Sequence, residues 1–318
     1  MQFTQLGRTG LRVSVVGLGC GGFSRLGQSY GHTEAQSIEV VRAARDLGIN
    51  FFDTAENYRT EGIVGQAIGY ERADVIVSTK TNMLRDGVLK TGAEVLASID
   101  ASLTRLQTDY IDVFHLHAVR PQHVDYAIEE IAPALHRARK DGKIRFCGIT
   151  ETAPNDFEHQ TLRRAVSSDQ FDVVMVAFHL LHQNARESVF PLTAAHDVGT
   201  LLMFAVRLIF SQPERLADTL VDLHQRSLLT ADMLEEAAFA RLVAGDRSPA
   251  AIMDAAYRFV RHEPGVDVVL LGTGSIEHLG TNTRSILAPP LPPETQARIR
   301  ECFGHLVGVG LDAPATAK

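Results

Sequence analysis

Four polar residues stand where apolar runs stop. Asp53 ends "INFFD" and is followed five residues later by Tyr58, Lys80 ends "VIVSTK", and His117 ends "IDVFHLH". Singly, each has an ordinary reading: a strand-end Asp holds a turn or caps a helix, and a buried Lys pairs with an acid. Jointly they suit one chemistry. A tyrosine with an intrinsic pKa of about 10 is a poor proton donor or acceptor at neutral pH. A neighbouring Lys80 ammonium favours the phenolate and is expected to lower that pKa. Asp53 would keep Lys80 charged and oriented, and His117 would donate a hydrogen bond to a carbonyl oxygen. The matching reaction is hydride transfer to or from a carbonyl carbon, with Tyr58 exchanging the proton on oxygen.

These residues lie far apart in the chain, so the fold must bring them together. Short β-branched runs recur at residues 13–19, 49–53, 75–80, 111–117, 144–150, 171–178, 200–206 and 266–272. They are almost continuously apolar, as parallel strands buried on both faces should be. Between them lie helical patterns such as "HTEAQSIEVVRAARDLG", with Thr33 as the cap and Gly48 as the stop. Eight strand–helix units with right-handed crossovers predict an α/β fold, a (β/α)8 TIM barrel formed as one domain over residues 1–318. In such a barrel the C-terminal strand ends carry the chemistry, and Asp53, Lys80 and His117 are three of those ends. "FTQLGRTGLRVS" predicts an N-terminal β-hairpin closing the barrel's base. The segment from Arg207 to Ser248 exceeds an ordinary βα loop and predicts extra helices after strand seven, in "SQPERLADTLVDLHQ" and "TADMLEEAAFARLVAG". Residues from about 311 to 318 are expected to be a disordered tail.

"FDTAENY", "STK" and "DYIDVFHLH", preceded by "LGRTGLRVSVVGLGCGGF" and followed by "GKIRFCGIT" and "LLGTGSIEHLGTN", make the chain resemble the aldo-keto reductase superfamily over nearly its whole length. The resemblance implies an Asp-Tyr-Lys-His tetrad on an eight-stranded barrel, with NADP(H) or NAD(H) bound extended and without a Rossmann domain. Tyr58 would then be the general acid/base, tuned by Lys80 and Asp53, with His117 orienting the substrate carbonyl. "GKIRFCGIT" and "IEEIAPALHRARKDGK" are similar to the branch that oxidises sugars such as L-galactose.

"LLGTGS" leaves the eighth strand and opens a helix, so Gly272, Thr273, Gly274 and Ser275 offer close backbone and free N–H groups to a phosphate. The resemblance places the adenosine half of the cofactor here, with Ser275, His278 and Asn282 as contacts. Arg207 is expected either to meet the pyrophosphate or to be a solvated charge. The chain departs from the family at the nicotinamide end. Thr150-Glu151 stands where Ser-Asn is frequent, Met175 where a Gln is common, and Met203 or Phe204 where a stacking Tyr is usual. Thr150 and Phe204 are taken as the contacts there. The Lys and Arg that many members use for a 2′-phosphate are missing, and His278 takes the Arg position, so both NAD(H) and NADP(H) remain open.

Two rivals deserve naming. His115 and His117 are two apart on a strand and point to one side, as a zinc hydrolase would need. A barrel binding nucleotide as a sensor or partner protein would also explain the altered carboxamide contacts. Composition narrows the field further: 318 residues, 45% hydrophobic and 22% charged, suffice for a large core. A net charge of −7 argues against a nucleic-acid partner. The odd and scattered Cys20, Cys147 and Cys302 fit a reducing cytoplasm. No signal-peptide pattern opens the sequence, and "VVMVAFHLL" is too short to cross a bilayer. Phe23, Tyr30 and Phe210 are candidates for the wall of a pocket for a small carbonyl or alcohol substrate.

Overall fold

The strand–helix alternation closes on itself in the computed structural model, which describes residues 1–233, 236–245 and 248–311. The barrel strands are β1 (Val16–Gly19), β2 (Phe51–Asp53), β3 (Ile76–Asn82), β4 (Ile111–Val119), β5 (Ile144–Glu151), β6 (Val173–Ala177), β7 (Gly199–Met203) and β8 (Val268–Leu271). Each pairs in parallel with its sequence neighbour, and β8 pairs with β1, so no sheet edge remains open. All eight expected runs are therefore barrel strands. The first is shorter than the sequence pattern predicts, because Arg12–Ser14 pairs antiparallel with Phe3–Gln5 and the chain enters the barrel only at Val16.

Two apolar layers hold the barrel. Its interior contains Phe51, Ile76, Val113, Val173, Met175, Leu201 and Val268, packed with Leu6, Leu11 and Val13 from the N-terminal ribbon. That ribbon is the floor. Arg8 secures it by bonds to Asp169, Asp172 and the Phe171 carbonyl at the start of the β6 unit. The outer layer joins the opposite strand faces, such as Phe52, Val77, Phe114 and Leu116, to the surrounding helices. Local signals set those helices: Thr33 and Gln36 form a reciprocal capping box on Glu34–Asp46, as Thr91 and Glu94 do on Gly92–Leu106.

Beyond β7 come the short helix Leu208–Ser211, then Pro213–Gln225, then Glu236–Ala244, before Pro249–Arg261 leads into β8. Leu216, Leu220 and Leu223 lie on one face of Pro213–Gln225, and all three are buried. Leu311, expected in a disordered tail, is instead buried against Ala153 and Ala177 at the rim. Residues 312–318 of that expected tail lie outside the described residues, as do 234–235 and 246–247. Among the described residues no helix is long and apolar enough to cross a membrane.

Candidate active site

Side chains alternate between the two faces of a strand, and this decides what reaches the interior. On β2 the inward column is Phe51 then Asp53, on β3 it is Ile76, Ser78, Lys80, and on β4 it is Val113, His115, His117. Each column passes from apolar at the floor to polar at the C-terminal rim. Lys80 is wholly buried and donates to Asp53 Oδ2 and to the Thr54 carbonyl, both at 2.6 Å. The Ser78 hydroxyl donates to Asp53 Oδ1 at 2.8 Å. Burial alone pulls an ammonium toward neutrality, but the Asp53 carboxylate beside it outweighs that and the Lys80 pKa stands above its ordinary value.

Tyr58 sits on the 3-10 turn Glu56–Tyr58, which Arg59 closes in the left-handed region at φ 59°. Two clamps fix this turn. Arg25 Nε donates to the Tyr58 carbonyl at 2.9 Å. Glu56 Oε1 accepts from the Thr81 hydroxyl, the Asn82 N–H and Lys90 Nζ at 2.7, 3.1 and 2.9 Å. The ring lies so close to Gly21 that a Cβ there would be 2.2 Å away, so only glycine leaves room for it. Lys80 Nζ is 5.1 Å from the ring centre, and the hydroxyl is 3.3 Å from His117 Nε2.

Lys80 draws the Tyr58 pKa down, as expected, but the net direction needs correcting: burial raises it by more than Lys80 lowers it, and the Asp53 carboxylate adds to the rise. Tyr58 is therefore a protonated phenol at neutral pH. Burial, and secondarily Lys80, pushes His117 down to about 3, so its imidazole is neutral. Nδ1 of His117 is buried with no hydrogen-bond partner among the described residues. An unsatisfied N–H costs more than an unused lone pair, which favours the tautomer with its proton on Nε2, facing Tyr58.

His115 does not extend this group. Its ring packs so tightly on the Gly148 backbone that a Cβ on that residue would lie 2.2 Å from Nδ1. Among the described residues, no cluster of three or more His, Cys, Asp or Glu is arranged to hold a metal.

Where the cofactor's phosphates are expected, just past β8, Thr273 Oγ1 accepts from the Ser275 N–H at 3.0 Å, and Ser275 Oγ accepts from the His278 N–H at 3.2 Å, capping the helix Ile276–Leu287. Gly272 is exposed, and a Cβ there would come no closer than 3.4 Å to the Gly19 carbonyl, leaving open backbone beside the helix start. His278 and Asn282 follow one turn apart on that helix. This surface fits an anion: free N–H groups, the positive end of the helix, and close backbone approach.

Arg207 is 7% exposed, so it is not a solvated charge. Its guanidinium carbon lies 3.9 Å from the Phe204 ring centre and 4.9 Å from that of Phe23, joining the loop after β7 to the loop after β1. Phe204 stands just past β7 in the left-handed region at φ 74°, whereas Met203 is the last strand residue. Thr150 is buried on the inner face, and its hydroxyl accepts the Ala118 N–H at 2.8 Å. Glu151, one residue on, points to the other face. There it pairs with His159 Nδ1 at 2.8 Å and accepts the Ala177 N–H at 2.9 Å. Met175 belongs to the apolar interior.

Of the expected wall residues, Phe23 is half-buried beneath Arg207 and Tyr30 is 72% exposed. Phe210 is core, edge-on to His179 and stacked on Phe239. Arg25 and Glu56 went unmarked by sequence reasoning. Glu56 lies inside the motif that singled out Tyr58, and Arg25 lies in the glycine-rich loop after β1.

Comparison with known proteins follows the same outline. The model of the Aldo/keto reductase family matches residues 16–303. The L-galactose dehydrogenase of Arabidopsis thaliana is 35% identical over 209 residues, covering 63% of this chain and 64% of that protein, so this match spans less than two thirds of that relative. The aldo-keto reductase YhdN of Bacillus subtilis is 28% identical over 99% of both chains. The aldo-keto reductase AKR11C1 from Bacillus halodurans, in its holo form, superposes with a TM-score of 0.73 at 26% identity, covering 95% of this chain and 96% of that one.

Proposed function

The chain belongs to the aldo/keto reductase family, and from that premise we propose that it transfers a hydride between NADP(H) or NAD(H) and a small carbonyl or alcohol substrate. The observation that carries this reading is the Tyr58 hydroxyl facing the neutral His117 Nε2 at 3.3 Å, above the buried Lys80–Asp53 pair. When bound, the nicotinamide supplies or takes up the hydride. Gly272, Thr273, Gly274, Ser275, His278 and Asn282 would hold the adenosine and phosphate end, Arg207 the pyrophosphate, and Phe204 and Thr150 the nicotinamide end.

The chain's own residues do the rest. In the reducing direction the substrate oxygen sits between Tyr58 Oη and His117 Nε2. His117 donates a hydrogen bond that polarises the carbonyl. As the carbon gains hydride, Tyr58 gives its proton to the oxygen and the alcohol forms. The Lys80 ammonium stabilises the phenolate left behind, and Asp53 keeps that ammonium in place. The oxidising direction reverses each step.

Among substrates, an aldose is the first class to test. The similarity to a protein named L-galactose dehydrogenase supports it. The test is fluorescence titration with NADH and NADPH, followed by a panel of aldoses and simple aldehydes with both nucleotides. Binding of at least one nucleotide, with turnover of some member of the panel, is expected. No nucleotide binding in the micromolar to millimolar range would overturn the reading.

A further inference from the structure

His117 owes its position to an irregularity in its strand. Between Leu116 and Val119 the β4–β5 register slips: Leu116 pairs with Ile149 and Val119 with Glu151, so His117 and Ala118 together oppose Thr150. One extra residue in β4 is a β-bulge, a device that re-aims side chains and ends pairing at a barrel rim. The phase change is visible in the packing. Phe114 and Leu116 face the outer helical layer, and so does Val119, three residues after Leu116 rather than two. His117 is thus the last inward-facing residue of its strand. Ala118 takes the strain, standing at φ 53° in a region that disfavours any side chain.

Two threonines of β5 and the loop after it close on that strained residue. Thr150 Oγ1 accepts the Ala118 N–H at 2.8 Å, and Thr152 Oγ1 donates to the Ala118 carbonyl at 2.6 Å, with a longer approach to the Val119 carbonyl at 3.4 Å. Both peptide groups that the bulge removes from the strand ladder are therefore satisfied by side chains. On its other side the His117 backbone pairs with Asn82 of β3, while among the described residues its side chain has no hydrogen-bond partner at Nδ1 and faces Tyr58 at Nε2.

We propose that Thr152 is a positioning residue for His117, acting through the Ala118 bulge that it and Thr150 hold in place. It touches no reacting atom. It fixes the direction of Nε2 toward the substrate oxygen. The proposal rests on the reading of His117 given above, so its test includes a readout that does not need turnover.

The experiment compares T152V, T152S and the double variant T152V/A118G with the parent. In each, the His117 ring resonances are followed by NMR, assigned with H117N, and kcat and KM are measured on whichever panel substrate turns over. Valine keeps the shape of Thr152 but removes the donor. The expected result for T152V is a shifted and broadened His117 signal, and a kcat reduced by about tenfold to a hundredfold, the scale of a misplaced catalytic group, with nucleotide affinity retained. T152S should restore both signal and kcat. T152V/A118G should recover part of them, because glycine adopts the left-handed conformation without the clamp. A His117 signal unmoved in folded T152V overturns the proposal whatever the activity. So does a T152V/A118G variant no better than T152V. Absence of turnover in the parent itself would instead count against the enzymatic reading, leaving the NMR result to decide this one.

Discussion

The Tyr58 hydroxyl and the His117 Nε2 face each other at 3.3 Å across the barrel mouth, with their rings nearly perpendicular at 88°. Neither is charged at neutral pH: burial holds the phenol protonated and the imidazole neutral. Beneath them the Lys80 ammonium and the Asp53 carboxylate pair at 2.6 Å and offset each other's charge. The site is thus a nearly neutral pair of hydrogen-bonding tips over a compensated ion pair. That arrangement can hand a proton to an oxygen without first having to gain one.

Replacing Tyr58 by Phe removes the proton and leaves the ring packed on Gly21. Turnover should fall by about 10²–10⁴, the usual contribution of a general acid, while NADPH or NADH binding measured by fluorescence changes little. Turnover preserved at the parent level would remove Tyr58 from the mechanism.

The Asp53–Lys80 pair is buried on both sides, so breaking it should cost far more than deleting it. D53N or K80M alone is expected to lose about 3–5 kcal/mol in denaturant unfolding, because the remaining group is left buried without its partner. The D53N/K80M double variant should lose much less than the sum of the two. Simple additivity would mean the pair is not coupled as the geometry shows.

The pH dependence of turnover follows from the same groups. With His117 down at about 3, carbonyl reduction should show no step near the ordinary histidine pKa of about 6.5. An acid whose pKa is raised keeps its proton to higher pH, so reduction should stay level from pH 5 to 9, within the roughly neutral span of these side chains. Alcohol oxidation needs the phenolate and should climb across the alkaline range. A histidine-like step in kcat for reduction that vanishes in H117N would contradict the neutral imidazole.

Stability should respond to acid through the buried neutral histidines, His115 and His117 in the barrel and His179 and His182 beyond it. His179 and His182 are wholly buried and pushed down to about 3 and about 2, mainly by burial, with Arg207 adding to the shift at His179 and neighbouring histidines at His182. In the unfolded chain both titrate near 6.5. Their stabilising effect is therefore complete above that pH and is lost as pH falls toward the folded values, by about 2 kcal/mol each between pH 6.5 and 5. His179 Nδ1 accepts the Leu181 N–H at 3.2 Å, a bond an asparagine oxygen can replace. H179N should accordingly flatten the fall of Tm between pH 6.5 and 5. An equally steep fall in H179N would assign the acid sensitivity elsewhere.

Much of the fold was legible because parallel strands buried on both faces announce themselves as apolar runs. Asp53, Lys80 and His117 were visible as the polar residues ending three of them. What the sequence hid depends on phase and environment. Thr150 and Glu151 are adjacent letters, yet the pleat sends one inward and the other to a buried pairing with His159. The extra residue at Ala118 has no compositional mark, since the strain at φ 53° falls on an alanine rather than a glycine. The Tyr58 pKa went the other way because its direction depends on how completely the ring is enclosed, which spacing along the chain does not encode. Arg207 was open in the sequence between a pyrophosphate contact and a solvated charge, and the burial that removes the second reading comes from Phe23 at the far end of the chain.

The N-terminal ribbon gives the barrel one last property. With Leu6, Leu11 and Val13 filling its lower end, the interior is a cul-de-sac rather than a tunnel. If cofactor and substrate meet at the tips of Tyr58 and His117, as proposed, both would come and go by the same doorway. Whichever lay deeper would then arrive first and depart last, and the floor would impose a queue on the kinetics although it touches neither guest.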